Sequence, residues 1–495
     1  MRRSILKDTL LLTAMQMALD AAGIWVNVRL NRTLGTASVG VLTLSASVFR
    51  LICTLGSGNA FLCVSRFVSE ELGKKSRDPA GILRLCMMCA LGLSVLCCAV
   101  LYAFSGKLCT LLLHDPTLSD ALRHLGYTLP LITLAACLKG WYNALCKAGT
   151  CAVADGVEFL LRTGTLLVGA ALFLPKTAAA LCDLTAVSNA VSAGGALLFL
   201  ALRLPKALPP KTGRKSLAFG QYLKLAIPVM GGSALTALLS AANDALVPVT
   251  LRQSGTSAEE ALSQFGIFES IILPTLFFPS TILCALAGIL VTEMAREHAA
   301  DSRERICDLT DKTIRRTLWF AIFVTALLLT LGEGLGELLG GGETAGRMIC
   351  LLSPVVPFIY LEIVLESILK GLGAQGFSSL NYLCEYLIRI TIVVVCIPLM
   401  GFTGLVLSYY ASNIVGNSAR LIAVLRKTGL RFRLSDMVLT PCLAAVTCVV
   451  LAKAVFRLMQ LPIDKGVPGM VLFAMLCTAG FGLCAKHLEM AEKCA

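Results

Sequence analysis

Charged residues are scarce in this sequence. Only 15% of its 495 residues are Asp, Glu, Lys or Arg, whereas 57% are hydrophobic and the mean hydropathy is +0.80. A soluble fold buries only part of such an apolar surface, so the composition predicts an all-helical, polytopic membrane protein. The formal charge of +13 comes from basic residues spread over short loops, which argues against a nucleic-acid partner.

Motifs for nucleotides and metals are also missing. The chain has no Walker loop, so we expect no bound nucleotide. Its four histidines are scattered, and most of its 21 cysteines lie inside apolar runs, where cysteine is typically a small apolar residue. We therefore expect no metal site and no cofactor, apart from a coupling H⁺ or Na⁺.

Catalytic carboxylates are absent from the first predicted outer loop, residues 29–38. Glycosyltransferases and polymerases that act on lipid-linked sugars need a catalytic carboxylate or a metal, and no long extracytoplasmic loop supplies one elsewhere. We therefore expect the protein not to be an enzyme.

The apolar runs predict about fourteen helices, each near the length that crosses a bilayer. Polar, glycine or proline residues separate the runs. The predicted spans are 9–28, 39–64, 83–104, 122–146, 151–174, 177–202, 221–249, 260–293, 316–340, 346–371, 376–400, 402–425, 436–458 and 467–486.

The basic residues alternate between the predicted loops. They concentrate in residues 2–7, 66–77, 203–215, 296–312 and 426–433, and are sparse in the loops on the other side. Cytoplasmic loops carry an excess of Lys and Arg, so this alternation predicts that both termini lie in the cytoplasm.

Two basic segments predict the domain organisation. A linker at 204–218 separates an N-terminal lobe of six helices (1–203) from a C-terminal lobe of six (219–425). A second linker precedes two extra helices in residues 426–495. A weak repeat supports two related halves, because Glu158 and Arg162 in the fifth span match Glu385 and Arg389 in the eleventh.

Ionisable residues inside the spans are the candidate functional groups. The Glu158–Arg162 and Glu385–Arg389 spacings allow pairing along one helix, so a structural role and a cavity-lining role stay equally open. Asp20 and Asp244 have no basic partner on their own helices and are candidates for a proton or cation site. Glu269 is a weaker one.

Arg50 lies near the middle of the second span. A charge at mid-bilayer costs about 2.5–3.5 kcal/mol on insertion scales, so this arginine must face water or a partner. A guanidinium in such a place can bind a phosphate through paired hydrogen bonds. The alternative is that Arg50 is the structural partner of an acid.

Several motifs, in order along nearly the whole chain, resemble the stage V sporulation protein B-like proteins. They include residues 34–40 (LGTASVG), 65–71 (SRFVSEE), 139–144 (KGWYNA), 226–228 (AIP) and 368–373 (ILKGLG). These proteins belong to the multidrug/oligosaccharidyl-lipid/polysaccharide (MOP) exporter superfamily, together with the lipid II flippase, polysaccharide flippases and MATE-like exporters.

The resemblance implies two six-helix lobes in an inverted V around a central cavity, with alternating access. It implies a flippase in the cytoplasmic (inner) membrane of a bacterium that moves a polyprenyl-linked saccharide for the cell wall, spore cortex or capsule. Arg50 matches a cavity arginine in the second helix of the lipid II flippase, which implies that it attracts the diphosphate, together with Arg162.

The first helix departs from that pattern. Relatives carry arginines there, whereas this chain has Asp20 and no arginine in residues 19–27. An acid at this place is closer to cation-coupled exporters of multiple drugs or small amphiphiles, which is the first alternative. A non-transporting membrane scaffold in envelope assembly is the second.

Overall fold

The computed structural model describes residues 2–73, 79–108, 119–145, 147–173, 178–204, 219–460 and 466–494. These residues form helices and short connections, with no strand among them. Residues 205–218 of the predicted basic linker lie outside the described residues.

The described chain forms fourteen helical segments, each overlapping one of the predicted spans, so the predicted number is confirmed. The first seven are helix 1 (Arg2–Leu34), helix 2 (Thr36–Ser57 and Ala60–Gly73), helix 3 (Pro79–Leu108), helix 4 (Ser119–Tyr127 and Leu129–Ala144), helix 5 (Ala148–Phe173), helix 6 (Ala178–Arg203) and helix 7 (Phe219–Gln253).

The other seven contain more interruptions. Helix 8 runs from Ala258–Ile267 through Phe268–Ile272, Leu273–Phe277 and Phe278–Ser280 to Thr281–Ala299, and helix 9 is Arg303–Leu338. Helix 10 comprises Gly342–Leu352, Ser353–Val355 and Val356–Gly371. Helix 11 is Gln375–Met400, helix 12 is Phe402–Thr428, helix 13 is Ser435–Leu439 and Thr440–Leu458, and helix 14 is Val467–Cys494.

Glycine and proline explain where the helices break. Gly35, with φ of 84°, separates helices 1 and 2, and Gly58, with φ of 55°, lies at the break inside helix 2. These values fall in the left-handed region that glycine adopts without a Cβ clash. In helix 8 the α-helical hydrogen bonding is interrupted next to Pro274 and again at Pro279, since proline cannot donate a backbone hydrogen bond.

Eleven described segments are long and apolar enough to cross a membrane. Helices 1, 5 and 12 are not among the eleven found within the described residues. Their polar residues include Asp20, Glu158 and Arg420, and all three take part in the clusters described below.

The chain folds into two compact units. The first contains Met1–Met15 and Ala37–Pro248, and the second contains Gln16–Thr36 and Val249–Ala495. Thus residues 16–36 of helix 1 belong to the second unit, and most of helix 7 belongs to the first.

Each unit has its own apolar core. In the first, Val64, Cys137 and Leu138 are fully or almost fully buried where helices 2, 3 and 4 pack. In the second, Met294, Ile314 and Leu365 belong to a core that extends through helices 8, 9, 10, 13 and 14. These cores fix the helices that carry the polar residues.

Candidate functional site

Arg50 and Asp244 meet in the first unit. Arg50 is on helix 2 and Asp244 on helix 7, and the distance from Arg50 Nη2 to Asp244 Oδ2 is 3.9 Å. Asp244 is buried, whereas 70% of the Arg50 side chain is exposed. The structure therefore brings together two residues that the sequence predicted separately.

Neutral donors hold Asp244 in place. The Ser47 hydroxyl donates a hydrogen bond to Asp244 Oδ2, and Asn243 Nδ2 donates one of 3.2 Å to Oδ1. The Arg50 guanidinium makes no side-chain hydrogen bond within the described residues, and its contact with Asp244 is a long ion pair. A mid-span arginine in this state keeps its N–H donors available for an anionic ligand.

A second polar cluster of the first unit centres on Lys139 of helix 4. Its Nζ lies 2.6 Å from Asp155 Oδ1 and 2.6 Å from Glu158 Oε2, both on helix 5. Glu158 therefore pairs with Lys139, and the same-helix pair of Glu158 with Arg162 that the spacing allows is not formed in the described structure. Glu158 pairs with Lys139 instead of Arg162 because the Lys139 ammonium contacts the carboxylates of Asp155 and Glu158 together.

Arg162 is exposed on helix 5, and no described residue forms an ion pair with it. Its backbone carbonyl accepts a hydrogen bond of 3.2 Å from Ser188 Oγ. The structure thus leaves the guanidinium unpaired on the same helix as Glu158.

Asp20 lies in the second unit and is half-buried. Gln16 Nε2 donates a hydrogen bond of 2.9 Å to Oδ1, and Thr281 Oγ1 on helix 8 donates one of 2.7 Å to Oδ2. Both hydrogen-bond partners are neutral, and within the described chain no cation pairs with this carboxylate. Such a carboxylate retains acceptor capacity for a proton or a small cation.

Helix 1 is also bound to helix 8 around Ser270. Asn27 Nδ2 donates to the Ser270 carbonyl at 3.1 Å, and Asn31 Nδ2 donates to Ser270 Oγ at 3.0 Å. Ser270 lies in the π-helical turn Phe268–Ile272, a type of distortion that is frequent at functional sites. The predicted residue Glu269 is half-buried in the same turn.

The most extensive polar cluster is in the second unit and centres on Arg420 of helix 12, which is completely buried. Its Nη1 donates to Glu385 Oε2 at 2.9 Å and to Asn417 Oδ1 at 2.8 Å. Arg389 Nη2 lies 3.4 Å from Glu385 Oε1, as the helical spacing predicts, and Arg389 Nε donates to Ser412 Oγ at 3.0 Å.

Helix 10 adds two carboxylates to this cluster. Arg420 Nη2 is 3.5 Å from Glu362 Oε1, and Arg420 Nε is 3.7 Å from Glu366 Oε2. Glu366 is buried and Glu362 is half-buried. Sequence reasoning missed Arg420, although an arginine inside the predicted span 402–425 was a visible signal.

A metal centre is not evident in the described residues. No group of three or more His, Cys, Asp or Glu side chains there is placed to hold a metal ion. The polar clusters are instead ion pairs and hydrogen-bonded carboxylates.

The helices and their polar clusters define a multi-pass membrane protein, and comparison with solved structures identifies the fold. The lipid II flippase MurJ in its inward closed conformation matches with a TM-score of 0.71 and 13% identity, covering 97% of this chain and 99% of that one. An inward-facing multidrug resistance MATE family transporter of the MOP superfamily matches with a TM-score of 0.60 and 14% identity, covering 84% and 94%.

Sequence comparisons point the same way. Residues 5–247 match the family model described as "Polysaccharide biosynthesis protein". Stage V sporulation protein B of Bacillus subtilis (strain 168) is 21% identical over 421 residues, which cover 82% of this chain and 81% of that relative. The predicted resemblance to stage V sporulation protein B-like proteins is thereby confirmed.

Proposed function

We propose that this protein is a flippase-type transporter that moves a polyprenyl-linked saccharide across the cytoplasmic membrane of a bacterium. The observation that carries the proposal is the state of Arg50, a mid-span arginine whose side chain is 70% exposed. Exposure to lipid would be costly for this charge, so its guanidinium faces water or an anionic ligand. The family description "Polysaccharide biosynthesis protein", matched by residues 5–247, supports a saccharide substrate.

Arg50 binds the diphosphate of the substrate in this proposal. A guanidinium pairs with phosphate oxygens through two parallel hydrogen bonds, which are stronger than its 3.9 Å contact with Asp244. Asp244 is the resident counter-ion of Arg50 until the diphosphate arrives. Arg162, with its unpaired guanidinium, is a second anchor for the same headgroup.

The proposed working cycle is alternating access by the predicted lobes, 1–203 and 219–425, with both termini in the cytoplasm. The lipid tail stays in the bilayer while the saccharide crosses. Because a ligand shifts a conformational equilibrium only through differential affinity, the coupling ion must bind one state better than the other. We assign that ion, H⁺ or Na⁺, to Asp20, and the chain itself performs no chemical step.

Transport in proteoliposomes tests this function. A fluorescent polyprenyl-diphosphate saccharide is placed in the membrane, and its appearance in the opposite leaflet is followed with a membrane-impermeant quencher. Wild type should equilibrate the lipid, and Arg50→Ala should slow it at least about tenfold, the effect of losing about 1.4 kcal/mol of binding. Equal rates in wild type and protein-free vesicles would contradict the proposal.

Asp20 favours one alternative, a cation-coupled exporter of small amphiphiles. Its carboxylate accepts hydrogen bonds from Gln16 and Thr281 and has no cationic partner in the described chain. In this case a cationic dye would leave dye-loaded vesicles in a cation-dependent manner, and Asp20→Asn would stop the efflux. If neither substrate moves and charge substitutions leave the envelope phenotype intact, the scaffold alternative remains.

A further inference from the structure

An open groove follows the surface of helix 13 in the second unit. Its volume is about 650 Å³, and its lining residues are Val450, Lys453, Ala454, Arg457 and Leu458. All of them belong to one helix, which is long and apolar enough to cross a membrane. The groove is therefore a surface feature of the second unit and not part of its core.

Two cations of the groove lie one helical turn apart. Lys453 and Arg457 are separated by four positions, so they share a helix face, and like charges at this spacing repel each other. Within the described chain no carboxylate forms an ion pair with either of them. The pair therefore carries positive charge that an external anion would compensate.

The positive-inside rule does not account for these cations. Helix 13 begins beside the basic segment 426–433, and the predicted topology places its other end, at Leu458, on the outer side. An excess of Lys and Arg is expected in cytoplasmic loops and not at that end. Lys453 also lies inside the predicted span 436–458, where a charge is costly unless it reaches water or a partner. The two cations therefore need a different explanation.

The helix face that carries the cations continues as an apolar stripe. Leu443, Val446 and Val450 precede Lys453 at helical spacing, and all three are exposed. On the opposite face Phe456 is buried and packs edge to face against a phenylalanine of helix 14. One face of helix 13 is thus apolar for two turns and cationic for the next.

The stripe has the length of one membrane leaflet. Leu443 and Arg457 are fourteen positions apart, which is about 21 Å along an α-helix. Half of a bilayer, with its headgroup region, is about 20–22 Å thick. Apolar residues toward the middle of the span and cations toward its end reproduce the order of acyl chains and phosphate in one phospholipid.

We propose that this face of helix 13 binds an anionic glycerophospholipid of the bilayer. Its phosphate lies in the groove on Lys453 and Arg457, and its acyl chains follow Leu443, Val446 and Val450. Ammonium and guanidinium groups bind phosphate oxygens through charge-assisted hydrogen bonds. Two cations select a lipid with net negative charge, because the choline group of a zwitterionic lipid adds a third positive charge.

The lining of the groove argues against the saccharide substrate as its occupant. The lining residues carry two cations and apolar side chains, with no hydroxyl, amide or aromatic group among them. Such polar groups are what fix the orientation of a specific ligand in its site. The groove lies entirely within the second unit, so the proposal does not depend on Arg50 or on flippase activity.

Native mass spectrometry of the full-length protein, titrated with phosphatidylglycerol or phosphatidylcholine, tests the proposal. Wild type should prefer phosphatidylglycerol, and Lys453→Gln/Arg457→Gln should weaken its binding at least about tenfold. The control Lys312→Gln/Arg347→Gln removes the same charge from two exposed ion pairs and should bind like wild type.

Three results would overturn the proposal. They are equal binding of phosphatidylglycerol by wild type and Lys453→Gln/Arg457→Gln, no preference of wild type for phosphatidylglycerol, and loss of a polyprenyl-diphosphate saccharide in place of phosphatidylglycerol from that variant. The last result would identify the transport substrate as the occupant.

A phosphatidylglycerol with a photoactivatable group in its acyl chain tests the location. In wild type its crosslinks should include residues 443–450, and Lys453→Gln/Arg457→Gln should lose them. Ala454→Trp keeps both cations but fills the groove, so it should lose the same crosslinks. Crosslinks at 443–450 that persist in both variants would show that lipid covers this face without using the groove, and would contradict the proposal.

Discussion

Asn27 on helix 1 donates a hydrogen bond of 3.1 Å to the backbone carbonyl of Ser270 on helix 8. Four residues after Ser270 comes Pro274, which has no amide hydrogen to offer that carbonyl in a regular helix. The asparagine therefore supplies a donor to a carbonyl that lacks its regular partner four residues on. This contact, with the neighbouring Asn31 bond, fixes residues 16–36 of helix 1 in the second unit.

Removing the Asn27 amide should destabilise the protein. Asn27→Ala leaves the Ser270 carbonyl without this donor, which should lower the free energy of unfolding by about 1–2 kcal/mol. The midpoint of thermal unfolding in detergent measures the loss. In a Pro274→Ala background the restored amide can serve the carbonyl, so the same substitution should cost less; an equal cost in both backgrounds would contradict this account.

Lys139 should be needed to hold helices 4 and 5 together. Lys139→Met leaves Asp155 and Glu158 close to each other without their common cation, which should cost about 2 kcal/mol. Adding Glu158→Gln should recover part of the lost thermal stability because it removes the repulsion. If the double variant is as unstable as the single one, packing of the lysine stem rather than its charge is responsible.

Arg420 should be the most sensitive charged residue of the second unit. Arg420→Met removes the shared cation of a buried cluster, and breaking such a cluster typically costs about 3–5 kcal/mol. We expect low yield or a strongly lowered unfolding midpoint. The double variant Arg420→Met/Glu385→Gln should be more stable than Arg420→Met alone, because it removes a carboxylate left without its cation. A double variant less stable than Arg420→Met would show that Glu385 is not the main partner of Arg420.

Asp20 should respond to the coupling ion. If it binds Na⁺ or H⁺, changing that ion should alter the thermal stability of wild type, since a ligand stabilises the state that binds it. Asp20→Asn should abolish this response, whereas Thr281→Val removes a donor to the carboxylate but retains the charge and part of the response. A full response in Asp20→Asn would place the ion elsewhere.

Apolar periodicity was sufficient to predict the helices, but side-chain partners on different helices were not readable from it. The spacing of Glu385 and Arg389 correctly indicated a pair, because both lie on one helix face. The same spacing allowed an ion pair between Glu158 and Arg162, but Glu158 pairs with Lys139 of helix 4 instead. Tertiary packing decides between such competitors, and sequence distance does not encode it.

The partners of Arg50 and Arg420 illustrate the same limit. Arg50 and Asp244 are 194 positions apart in the numbering, and nothing local indicates that helices 2 and 7 bring them within 3.9 Å. Arg420 lies in a polar stretch of helix 12 with Asn413 and Asn417, so its span was recognisable but its three carboxylate neighbours were not.

Binding of a polyprenyl-diphosphate saccharide to the purified protein, followed by native mass spectrometry, tests the central claim most directly. Wild type should retain the lipid, and Arg50→Ala should lose it. The control Arg347→Ala, in an exposed pair with Glu343, should bind like wild type. Equal binding by wild type and Arg50→Ala would contradict the role of Arg50, and no binding by wild type would contradict the proposed substrate.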